Sequence, residues 1–119
     1  MTGFEQQNEN KLNETDRKRQ IAKALHEQAL NHQMRGDLEN AEKAYLEAIQ
    51  IGHFDGGLLS NLGIIYQNTG RMKAAILCYK KAIETNPNEL NAYANLGSIC
   101  RDLGNLDQAL ASTLKSLEL

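Results

Sequence analysis

From Leu25 onward the apolar positions recur at intervals of three and four, as in Leu59, Leu62 and Tyr66 or Ala75, Tyr79 and Ala82. That spacing places them on one face of an α-helix and does not fit the alternation of a strand. The pattern itself recurs every 34 residues. Gly36, Gly70 and Gly104 are each followed five residues later by alanine (Ala41, Ala75, Ala109) and twelve residues later by a small residue (Ala48, Ala82, Ser116). Large residues keep the same phase: Leu25, Leu59 and Tyr93 lie eleven before the glycines, Leu38, Met72 and Leu106 two after them, and Tyr45, Tyr79 and Thr113 align as well. Each period is read as two helices, with small residues where the pair must touch closely.

The glycines stand between the helices of a pair, where the first helix ends with positive φ at no cost in side-chain clash. Asp37 and Asn105 follow their glycines as N-caps, and Gln108 stands three residues after Asn105 as in a capping box. Asp55 caps the next pair. Asn86, Pro87, Asn88 and Glu89 offer a cap, a proline for the first helical position and an acidic first turn. The expected helices are 22–35, 38–51, 56–69, 72–85, 89–103 and 106–118, six in all and antiparallel in pairs. Residues 1–14 hold Gln6, Gln7, Asn8, Asn10 and Asn13 with no apolar period and read as a disordered polar tail, with Thr15 or Asp16 as a possible start for an extended first helix.

Composition changes little in this picture. The chain has 119 residues, 24% charged, with a net charge of −2 and a single proline. Charges of both signs are interspersed, so no basic stripe suits a phosphate backbone and nucleic acid is not an expected partner. No apolar run approaches the roughly 18 residues of a membrane span, and the first twenty residues lack the apolar stretch of a secretory signal. A soluble, cytoplasmic protein without membrane contact is the expectation. Cys78 and Cys100 lie far apart in sequence, outside metal or redox spacing, and read as reduced thiols.

The second period reads Leu59, Leu62-Gly63, Tyr66, Gly70, Ala75, Tyr79, Ala82, Pro87. In this it resembles the tetratricopeptide repeat family throughout. The third keeps Tyr93, Leu96-Gly97, Gly104 and Ala109 but has Cys100, Thr113 and Ser116 where Tyr, an aromatic and Ala are usual. The first has Gln28-Ala29 for Leu-Gly, His32 for Tyr and His53 for Pro, a divergence that suits a terminal repeat. The resemblance covers residues 22–119 as units 22–55, 56–89 and an incomplete 90–119 within a domain spanning 15–119. It implies an all-α, α-solenoid fold: a right-handed superhelix of antiparallel helix pairs whose first helices line a concave groove for a protein or extended peptide.

Family geometry puts His26 and Leu30 on that groove, then Ser60, Asn61, Ile64, Gln67 and Asn68, then Asn91, Asn95, Ser98 and Arg101. Asn61 and Asn95 each head an Asn-Leu-Gly. Asparagine is a poor residue for a helix interior, and its amide can donate to and accept from a peptide backbone of any sequence. The arrangement is similar to the asparagine ladder in the repeats of O-linked N-acetylglucosamine transferase, although Glu27 breaks it in the first unit. The alternative is that asparagine is simply common at this position. The family's clamp for chaperone-tail carboxylates places Lys and Asn on the first helix, Asn on the third, and Lys and Arg on the fifth. Here His26, Leu30, Asn61, Asn91 and Asn95 stand there and only Asn61 agrees, so the cations that would offset desolvating a carboxylate are missing.

No helical turn carries two of His26, His32 and His53, so no metal or acid–base role is expected of them. Nor does any Ser, His and carboxylate set suggest an enzyme. Tyr45, Tyr66 and Tyr79 fall in packing columns and are expected in the core. No cofactor is implied. Leu106, Leu110, Leu114 and Leu117 form a stripe with nothing in the sequence to cover it. The leading expectation is therefore a binding or scaffold module. The alternatives are the N-terminal substrate-docking part of a larger enzyme such as a glycosyltransferase, and a unit that self-associates through its uncapped last pair.

Overall fold

The computed structural model describes residues 3–53 and 55–104. They form five α-helices: α1 (Gly3–Met34), α2 (Leu38–Gln50), α3 (Gly56–Asn68), α4 (Met72–Thr85) and α5 (Leu90–Asp102). There is no strand among the described residues, and the fold is the all-α one the periodicity predicts. Met1–His53 and Phe54–Leu119 are two compact units. The sixth expected helix, the Asn105 cap and the leucine stripe beyond it lie outside the described residues.

In the first unit α1 pairs with α2, burying Ala22 and Ala29 from one helix and Ala41, Ala44, Tyr45 and Ala48 from the other. The small residues let the backbones approach, and Tyr45 fills the space between. Its hydroxyl donates to Gln33 Oε1 at 2.7 Å. In the second unit α3 pairs with α4 in the same way, and α5 packs on both. Tyr79 is fully buried, its hydroxyl donating to Gln67 Oε1 at 2.8 Å. Each of these bonds contributes about 0.5–1.5 kcal/mol net and fixes the register of its pair.

Local signals explain most boundaries. Gly36, Gly70 and Gly104 have φ of 81°, 80° and 81°, and Gly52, which ends α2, has 101°. A side chain is strained there, so glycine is the residue that turns the chain. Asp37 N–H donates to His32 O at 2.8 Å, Arg71 N–H to Tyr66 O at 2.8 Å and His53 N–H to Ala48 O at 3.0 Å, the six-to-one bond of a Schellman ending in each case. Asp37 and Asp55 cap as expected, accepting from Asn40 N–H at 3.4 Å and Leu58 N–H at 2.9 Å. Asn40's side-chain amide also donates to Asp37 at 2.8 Å. That bond is the main cause holding the Asp37 carboxyl below its ordinary range, with desolvation opposing it and His32 adding a smaller pull the same way.

Two expectations are corrected. α1 begins at Gly3, so helix runs through the stretch expected as a disordered tail over 1–14. Lacking an apolar period there, the chain still has good helix formers, no proline, and Glu14 four residues before Lys18, a favourable pairing on a solvated helix. At the other turn, Pro87 does not open α5. Asn86 Oδ1 accepts from Asn88 N–H at 3.1 Å, closing a local side-chain turn that delays the helix to Leu90.

Candidate functional site

The polar residues singled out in the second unit fall on one face of each of two helices. Ser60, Asn61, Ile64, Gln67 and Asn68 are spaced one, three and four apart along α3, and Asn91, Asn95, Ser98 and Arg101 three and four apart along α5. Asn61, Ile64, Gln67, Asn95 and Ser98 are half-buried, while Asn68, Asn91 and Arg101 are exposed. α3 has no charged residue from end to end, and α5 has only Arg101 and Asp102, in its last turn. The surface is therefore neutral and rich in amides.

Two members of the set behave differently from a lining residue. Ser60 is only 2% exposed, and its buried hydroxyl meets no donor or acceptor among the described groups, so it is packed inside rather than presented. Gln67 gives its carbonyl oxygen to Tyr79. The third period has lost both halves of that pairing: Arg101 stands where Gln33 and Gln67 stand, and Thr113 where the tyrosines stand.

In the first unit, His26 is half-buried and Leu30 is 40% exposed on α1. The structure overturns the view that the histidines stay apart. His26 Nδ1 lies 3.4 Å from His53 Nε2, the rings meeting edge-on with centroids 5.6 Å apart. His26 also abuts Tyr45, with centroids 5.9 Å apart at 66°. His26 and His53 share no helical turn and meet because α1 and α2 pair. Gln33 with Tyr45 and His26 with His53 follow one antiparallel register, so the hairpin's geometry was the signal that could have found the pair. His32 sits 3.4 Å from Asp37 instead.

Tyr66 also departs from its expected core place. It is half-buried, and the Arg71 guanidinium lies over its ring at 4.5 Å while Arg71 Nε donates to Thr69 Oγ1 at 3.0 Å. Neither cysteine is in a disulfide; Cys100 is buried and Cys78 half-buried. Burial pushes the Cys78 thiol up to about 11. It likewise pushes the Tyr79 hydroxyl up to about 12, the neighbouring Cys78 adding to the effect. Neither is poised for chemistry at neutral pH. No described helix is long and apolar enough to cross a membrane.

Two tetratricopeptide repeat family models match the sequence, over residues 58–89 and 78–111. No curated protein matches the chain. Among solved structures, MamA is similar at 26% identity and a TM-score of 0.79, over 82% of this chain. The chain spans 57% of the MamA chain. The second tetratricopeptide domain of Spaghetti (RPAP3), solved with the HSP90 peptide SRMEEVD, is similar at 22% identity and a TM-score of 0.83, covering 94% of this chain and 97% of that one. The type III secretion translocator chaperone SycD of Yersinia enterocolitica is similar at 21% identity and a TM-score of 0.77, over 83% of this chain and 75% of its own. The last two likenesses speak to the tetratricopeptide fold alone.

Proposed function

We propose that the chain is a protein-interaction module whose α3 and α5 faces take an extended, largely uncharged peptide segment by its backbone. The observation that carries this is the pair Asn61 and Asn95, half-buried amides 34 residues apart in matching repeat positions on two helices that lack charge except at the end of α5. A side-chain amide carries both donors and an acceptor, so it can exchange its present partners for a peptide main chain, whatever that peptide's side chains. Ile64 and Ser98, half-buried one turn further along their helices, add apolar contact and a hydroxyl partner. Each hydrogen bond nets about 0.5–1.5 kcal/mol, so useful affinity requires several together.

The Spaghetti domain was solved with an acidic peptide. This face offers one exposed cation, Arg101, among the residues named for it, which is too little to offset the desolvation of several carboxylates. Selection of binders from a random peptide library, followed by affinity measurement against SRMEEVD, tests the proposal. Uncharged extended sequences binding more tightly than the acidic peptide support it. Preferential binding of SRMEEVD, or no selectable peptide, would overturn it.

A further inference from the structure

We propose that His26 and His53 form a two-imidazole binding site for zinc(II) in the first unit, separate from the peptide face. Zinc–nitrogen bonds of about 2.0–2.1 Å at a tetrahedral angle separate two ligand nitrogens by about 3.4 Å. His26 Nδ1 and His53 Nε2 stand 3.4 Å apart. The two nitrogens already hold one edge of such a tetrahedron, and two imidazoles are the donor type that zinc accepts readily. Without metal the short contact carries one proton between the rings. On binding, the donating ring takes up a proton on its other nitrogen as it gives this one to solvent, so that each ring stays neutral and gives a lone pair to the ion. Water completes the coordination.

The surroundings hold the rings in this pose. His26 is on the long α1 helix and rests edge-on against Tyr45, a fully buried ring whose hydroxyl is tied to Gln33. His53 is fixed at the end of α2, where its N–H bonds Ala48 O and Gly52 makes the turn at φ 101°. A pair held by backbone hydrogen bonding and ring packing loses less freedom on binding, which is the general basis of preorganisation. Both rings are half-buried, so an ion reaches them from solvent. On α1 the nearest cation in helical register, Lys23 three residues before His26, has an exposed side chain.

The test is calorimetric titration of the full chain with zinc chloride in a buffer that does not bind zinc, followed by NMR of the histidine ring protons. One saturable site is expected, with the His26 and His53 signals shifting on zinc addition and those of His32 staying in place. His26→Gln and His53→Gln should each abolish the site, while His32→Gln and the double variant Cys78→Ser with Cys100→Ser should retain it. The wild-type NMR result stands even if a variant fails to fold. Absence of saturable binding overturns the proposal, as does zinc moving His32 alone or a site lost with the cysteines.

Discussion

Replacing Gly63 by alanine probes the closest packing in the second unit. A Cβ built there would lie 2.5 Å from Tyr79 Cε1, 2.8 Å from Cδ1 and 2.9 Å from Cζ. No real Cβ contact is that short, so either the ring or a helix must move. The ring has little room: Tyr79 is fully buried and its hydroxyl is held by Gln67. Overpacking of this kind costs about 1–3 kcal/mol, against a gain of about 0.5–1 kcal/mol for removing a glycine from a helix interior. The net expectation is destabilisation by about 0.5–2 kcal/mol, read as a lower urea midpoint with an unchanged slope. The first unit holds Ala29 at the matching position, with Tyr45 buried in the same helix pair, so such a pair can accommodate a methyl there, but α3 and α4 are not so built. In a Tyr79→Leu background the ring edge is gone, and Gly63→Ala should lose most of its cost, giving a clear coupling in the double-mutant cycle. A Gly63→Ala protein more stable than the parent, or additive costs in the cycle, would refute the reasoning.

Other expectations follow from single contacts. Ser60→Ala removes a buried hydroxyl without a partner and improves helix propensity, so it should leave stability unchanged or raise it by up to about 1 kcal/mol in urea denaturation; a loss of that size would show that the hydroxyl is bonded. Tyr79→Phe should cost about 0.5–1.5 kcal/mol by the same assay, because Gln67 loses its donor, and no change would mean that water replaces the bond freely. The Cys78 thiol and Tyr79 hydroxyl have folded-state values raised above 9.0 and 10.0. Their neutral forms therefore support the fold fully below pH 9.0, and that support declines as pH climbs towards about 11 and then about 12. Cys78 ionising near 9.0 in an ultraviolet titration of the folded chain would contradict this.

Much of the architecture was legible because its signals are local. Gly36 and Gly70 with positive φ, Asp37 and Asp55 with their side chains on the first turn, and the three–four spacing of α2 to α5 each act within a few residues. The helical stretch before residue 15 was not legible, because polar helix formers on a solvated helix carry no period to read. Pro87 suggested a helix start that the Asn86 side-chain turn pre-empts. Ser60 gave no sign of burial, being small and polar in a helix without charge. The His26–His53 contact depends on the register of two helices, which only a paired reading exposes. Gln33 and Gln67 were recognisable in hindsight by their constant twelve-residue offset from Tyr45 and Tyr79.

The central claim, that matched amides on α3 and α5 hold a peptide main chain, is tested most directly by the affinity of a library-selected peptide for the Asn61→Ala, Asn95→Ala double variant. Losing two bonds worth about 0.5–1.5 kcal/mol each should weaken binding by roughly 5- to 150-fold, with helical content and melting temperature unchanged. Equal affinity for the double variant and the parent chain would contradict the account.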